Sequence, residues 1–142
     1  VFSSCINETL FVATNVAKGL WRNEPTYALE MLAIIRRCLR FMLAWKAGSD
    51  HGFKISVGKF SKHLGEYVEP ALYQGLLDTY TTADPEAVWK GLFTLLETFD
   101  QAANHVAKKL GYKYPRDDTK AVTGYLREVK IDSLKEGHDH AD

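Results

Sequence analysis

Several features are scarce in this sequence, and each scarcity closes a class of function. No apolar run approaches the ~20 residues that a bilayer-spanning helix needs; tracts such as Leu39 to Trp45 are broken by charge. Neither sign of charge is in excess, since 18 Lys and Arg balance 18 Asp and Glu. A general nucleic-acid binder needs a surplus of cations on one face, so that class is set aside. There are only two cysteines, Cys5 and Cys38, both inside apolar helical patterns. They read as small buried thiols of a reducing, cytoplasmic compartment rather than as a disulfide or a metal site. No basic-then-apolar leader opens the chain. It begins at Val1, already inside an amphipathic pattern, and we read it as a fragment or processed piece.

Catalytic signatures are equally sparse. A phosphate-cradling loop needs glycines leading into a helix with Lys and Ser or Thr behind them; Gly58-Lys59 has the first step and lacks the rest. Zinc spacings and a Gly-x-Ser-x-Gly elbow are absent. Metal-dependent nucleotidyl transfer uses paired carboxylates to hold two cations. Gly48-Ser49-Asp50 imitates the turn that precedes such a pair, yet Asp-x-Asp occurs nowhere, so the triplet reads as the end of a helix. His138-Asp139-His140 could chelate a metal, but it lies in a polar terminal stretch without a third ligand nearby. No metal site is expected.

What remains is a chain of 142 residues, 46% hydrophobic and 25% charged, enough for one globular core. Apolar residues recur at three and four along 2–20, along a long segment after Asn23-Glu24-Pro25, and from Pro85 to Leu110. Asn23 is the expected cap of the second helix, and Asp84 with Pro85 is the clearest helix start. Leu92, Leu95, Leu96 and Phe99 should be core. Shorter helices are expected at about 60–67 and 70–80, with a last one at about 119–134. Residues 49–59 read as an irregular loop or small hairpin. The spacing predicts an all-α bundle of five to six helices: a single domain over 1–136, with a disordered tail at 137–142.

On the first helix, Glu8, Asn15, Lys18 and Arg22 fall within roughly 80° of one another. A solvated face with pairing along the helix accounts for that spacing as well as a functional surface does. Most of the helical aromatics, drawn from Trp21, Tyr27, Trp45, Tyr67, Tyr73, Tyr80 and Trp89, are expected in the core. Tyr112 and Tyr114 stand in a loop beside Pro115, where binding residues are often carried.

An ordered set of blocks resembles a known family. Cys5-Ile6-Asn7-Glu8 and 16–24 (VAKGLWRNE) open it; 42–45 (MLAW), 52–59 (GFKISVGK) and 88–93 (VWKGLF) follow; 110–115 (LGYKYP) and Asp118 close it. These resemble the helical domain of the aminoglycoside 6-adenylyltransferases, also called streptomycin adenylyltransferases, over roughly residues 5–125. Such enzymes transfer AMP from Mg-ATP to a drug hydroxyl and so confer antibiotic resistance. Their N-terminal nucleotidyltransferase domain holds Mg-ATP, and a C-terminal helical domain binds the aminoglycoside. Only the second is matched here, so the resemblance implies a missing catalytic domain, Mg and ATP in the full-length enzyme, and no activity in this piece alone. It further implies Glu8 as the base that deprotonates the attacking hydroxyl. Asn7, Asn15, Glu24, Glu30, Tyr112 and Tyr114 become acceptor contacts, and Lys18, Arg22 and Lys59 become residues facing the phosphates. The competing expectation is a non-catalytic helical interaction module of a nucleotidyltransferase or toxin–antitoxin system. Ribonucleases of that kind carry Arg, four to six intervening residues and then His, a spacing absent here.

Overall fold

A computed structural model describes the backbone of residues 1–140 and the side chains of 1–135. The tail expected over 137–142, with His138 and His140, lies outside the described side chains. Five α-helices make up the fold: α1 (Phe2–Trp21), α2 (Pro25–Asp50), α3 (Pro70–Leu77), α4 (Pro85–Leu110) and α5 (Arg116–His140). No strand occurs among the described residues, so the expected bundle stands and the hairpin does not. Instead 51–69 is irregular, with single 3₁₀ turns at Lys59–Ser61 and Leu64–Glu66 replacing the helix expected over 60–67. No described helix is long and apolar enough to cross a membrane.

Local chemistry explains most boundaries. The amide of Ala87 donates to the Asp84 side chain at 3.1 Å, capping α4 ahead of Pro85. Gly111 ends that helix in the left-handed region at φ 74°, where a Cβ would be strained. The start of α2 departs from expectation. Asn23 is itself left-handed at φ 55°, and Glu24 takes the cap position without a side-chain hydrogen bond. The α1–α2 turn closes so tightly, through Glu24 N donating to Gly19 O at 2.8 Å, that Asn23 is used for its backbone.

Packing follows from the periodic apolar faces. α1 and α2 form an antiparallel hairpin, with Phe2 against Trp45 at one end and Gly19 against Ala28 at the other. α4 packs across α2, and α5 closes against α1 and α4. Leu92, Leu95, Leu96 and Phe99 are all buried, and both cysteines are buried and unpaired. Trp21, Tyr27 and Tyr80 are not core as expected; they remain 39%, 42% and 59% exposed. Their rings sit at helix ends, where the bundle has no further layer to cover them.

One buried charge ties three segments together. Lys46, on the last turns of α2, keeps only 5% of its side chain exposed and donates to Asp50 and Glu69, each at 2.8 Å. Asp50 also accepts from His105 Nε2 at 2.7 Å and Lys109 at 3.1 Å, both on α4. Burial alone would raise the Asp50 pKa, but hydrogen bonds from Lys46, His105 and Lys109 win and hold it well below the usual carboxylate range.

Two outcomes are expected. Phe99→Ala should cost about 3–5 kcal/mol in denaturant unfolding, because a ring this well packed leaves a cavity. Asp50→Asn should cost about 3 kcal/mol at neutral pH by leaving Lys46 short of a partner. Since the folded-state pKa of Asp50 lies below the unfolded one, its stabilisation is complete above about pH 4 and fades as pH falls. The gap between wild type and Asp50→Asn in a pH series of melting curves should therefore narrow in acid.

Candidate functional site

Glu30, Ile34, Arg37, Phe41, Ala44 and Gly48 recur at the helical repeat and share one outward sector of α2. The irregular segment after α2 folds back over the end of that sector. Phe53 N donates to Gly48 O at 2.7 Å, and the loop closes through His63 N to Val57 O at 2.7 Å. Gly58, at φ 77°, makes the closure possible: a Cβ there would stand 2.6 Å from the His63 ring. Phe60 and Ser61 follow in the left-handed region at φ 55° and 60°. Two adjacent non-glycine residues so placed cost on the order of 1–2 kcal/mol each, strain that tends to gather at functional loops.

The result is two neighbouring hollows that share Phe41, Ala44 and Val57 in their walls. One, of about 480 Å³, is apolar and is walled by Val1, Cys5, Trp45 and Phe53. The other, of about 520 Å³, is rimmed by Arg37, Arg40 and Phe60. Cations gather on its aromatic rings: Arg40 and Lys59 stand 5.6 and 5.8 Å from the Phe60 centroid, and Arg37 stands 5.4 Å from that of Phe41. Among the described residues, no ion pair engages Arg37, Arg40 or Lys59. A rim of unneutralised cations on an open hollow suits an anion.

Glu8 is exposed on α1, one turn beyond Cys5. Its charge bears on both thiols. Hydrogen bonding with Cys38 and burial push the Cys5 thiol far above its ordinary range, with Glu8 adding to the effect. Cys5 therefore stays a neutral packing group, and its Sγ donates to the Cys38 carbonyl at 3.4 Å. Asn7 is exposed and Asn15 half-buried on the same helix, while Glu24 and Glu30 are exposed on or just before α2.

The remaining sequence-derived positions are dispersed. Lys18 and Arg22 line a separate groove of about 420 Å³ between α1 and α5, opposite Glu128 and Asp132, so the structure does not bring them to Lys59. Tyr112 packs into an aromatic trio, 5.0 Å from Phe2 and 6.4 Å from Trp45, leaving one edge exposed. Tyr114 is turned inward, its hydroxyl donating to Asp100 at 2.6 Å beside Thr119 at 3.1 Å. Burial and the Asp100 carboxylate raise its pKa, so the phenol stays protonated. Sequence reasoning missed Arg37 and Arg40. Their signal was present in the α2 helical repeat, where they fall beside the exposed Phe41. No group of three or more His, Cys, Asp or Glu able to hold a metal ion occurs among the described residues.

Comparison with known proteins places this geometry in context. A sequence model described as streptomycin adenylyltransferase matches residues 1–129. The chain is 37% identical over 129 residues to an aminoglycoside 6-adenylyltransferase of Bacillus subtilis (strain 168), covering 90% of this chain and 45% of that protein. It is 33% identical over 131 residues to one of Campylobacter jejuni, covering 92% and 46%. A solved crystal structure of an aminoglycoside 6-adenyltransferase from Bacillus subtilis superposes with a TM-score of 0.80 at 35% identity, covering 91% of this chain and 49% of that one. The chain thus spans under half the length of the curated relatives it matches.

Tyr114→Phe should lower unfolding free energy by about 1.5–3 kcal/mol, the usual cost of losing a buried hydrogen bond to a charged group. Tyr112→Phe, which keeps the ring trio and removes an exposed hydroxyl, should melt like wild type. Thermal melts of the two variants check the contrast.

Proposed function

The chain belongs to the streptomycin adenylyltransferase family, and we propose that it is the acceptor-binding domain of an aminoglycoside O-adenylyltransferase. The observation that carries this reading is the hollow on α2 rimmed by Arg37 and Arg40, with Lys59 on the Phe60 ring beside it and Glu8 exposed on the neighbouring helix α1, near Cys5 and Cys38. A transfer from a nucleoside triphosphate to a hydroxyl needs both: a base for the hydroxyl proton and cations for the charge on the phosphates.

Mg-ATP, bound by the half of the enzyme that this chain does not cover, supplies an electrophilic α-phosphorus with pyrophosphate as its leaving group. The residues present fit the anionic end of that group. Arg37, Arg40 and Lys59 would meet its phosphates from the helical side, the two guanidiniums offering paired N–H donors. With no metal-binding group among the described residues, the cation falls to the other half. Glu8 takes the proton of the acceptor hydroxyl at a carboxylate oxygen as that hydroxyl attacks. Asn7 and Asn15 orient the acceptor through hydrogen bonds, and the exposed carboxylates Glu24 and Glu30 attract its cationic groups. Lys18 and Arg22 lie in the α1–α5 groove and have no part in phosphate contact on this reading. Tyr112 can offer its exposed edge to the acceptor. Tyr114 acts through the fold, by holding the loop before α5 to α4.

The test is a fusion of this chain behind the uncovered half of the Bacillus subtilis enzyme, assayed for pyrophosphate release with streptomycin and Mg-ATP. The fusion should turn over and the isolated chain should not. Glu8→Gln should lower turnover ~10²- to 10⁴-fold while leaving drug binding and melting temperature in place. Arg40→Ala should raise the KM for ATP more than that for the drug. Unchanged turnover in a normally folded Glu8→Gln fusion removes Glu8 from the mechanism.

A further inference from the structure

The apolar hollow between α1, α2 and the 51–63 loop has no place in the chemistry just described. An aminoglycoside is a hydroxyl-rich polycation, and against Val1, Ala44, Phe53 and Ile55 its polar groups would lose water without gaining partners. Yet the surface around this hollow is strongly apolar. Phe41, Phe53 and Phe60 are 56%, 59% and 75% exposed. Large rings concentrated around a concave seat mark a surface that is covered in the working molecule.

The length of the chain's relatives indicates what does the covering. The chain accounts for 45% of the length of its relative and 49% of the solved structure it superposes on. We infer that the hollow seats an apolar ridge of the catalytic half, which docks directly on the α1–α2 hairpin. The seat shares Phe41, Ala44 and Val57 with the cationic hollow. Docking there brings Arg37, Arg40 and Lys59 to the edge of the nucleotide-bearing half, so one contact sets both the interface and the site. The inference rests on the reading that the chain is one half of a two-part transferase.

Hydrogen exchange on the fusion and on the isolated chain tests it. Ala44 lines the seat at partial exposure on a helix that accepts Arg readily, so Ala44→Arg places a charge in the hollow without disturbing the core. Equal melting temperatures of the isolated wild-type and variant chains verify that. In the wild-type fusion the amides of residues 53–58 should exchange at least about tenfold more slowly than in the isolated chain, and Ala44→Arg should abolish that protection. Equal exchange in fusion and isolated chain overturns the inference. So does an isolated chain that dimerises through this face and is made monomeric by Ala44→Arg, which would give the seat to a second copy. Protection without AMP transfer supports the seat and sinks the acceptor-domain reading alone.

Discussion

An ammonium group taken out of water must be met by carboxylates or lose its charge, and Lys46 is met twice. Its partners come from different segments: Asp50 from its own helix, Glu69 from the residue before α3. Asp50 carries the contact on to His105 and Lys109 of α4. The end of α2, the start of α3 and the second half of α4 are therefore fixed to one another by a network in which every buried side-chain polar atom finds a partner. The segment between Asp50 and Glu69 is anchored at both ends by this cluster. That segment sends Leu64 and Val68 into the core, packs Ile55, Val57 and Tyr67 against it, and includes two adjacent left-handed residues, so these contacts and the anchors together hold Phe53, Lys59 and Phe60 in place.

From that constraint the character of the groove follows. A loop pinned at both ends must cross the outer sector of α2, and it does so with Phe53 on Gly48 and Phe60 beside Arg40. Net neutrality is maintained over the whole chain while charge is segregated locally. Among the described residues no ion pair engages Arg37 and Arg40 on the rim or Lys59 beside Phe60, while the carboxylates of Asp50 and Glu69 are used at Lys46. The apolar bed beneath strengthens whatever electrostatic contact forms when the groove is closed, because excluding water lowers the local screening.

Legibility in the sequence differed from element to element for physical reasons. The α4 helix was readable at both ends because Asp84, Pro85 and Gly111 act within one turn of themselves. The cap of α2 was misread because the turn needed Asn23 for its positive φ, a demand set by how close α1 and α2 approach. The aromatics were misjudged for a related reason. Period tells which stripe of a helix turns inward, but not how far along the axis a neighbour extends, and Trp21 and Tyr80 lie past that limit. Tyr112 and Tyr114 show the same gap at closer range. They are two residues apart in one loop, yet one ring caps an aromatic trio and the other is hydrogen-bonded inward to Asp100.

The sequence by itself determined the class of fold, the helices with strong local signals, the core of α4 and the family likeness. Each of these depends on residues within a turn or two of one another, or on the order of blocks along the chain. Tertiary structure alone decided which charges share a surface. Lys18 and Arg22 shared a helical face with Glu8 on paper, but α5 packs beside them and gives them a groove of their own. Arg40 and Lys59 are 19 positions apart and meet over one ring only because the 51–63 loop returns across α2. Contacts of that kind are set by loop closure and by the Lys46 cluster, and no periodicity within a single helix records them.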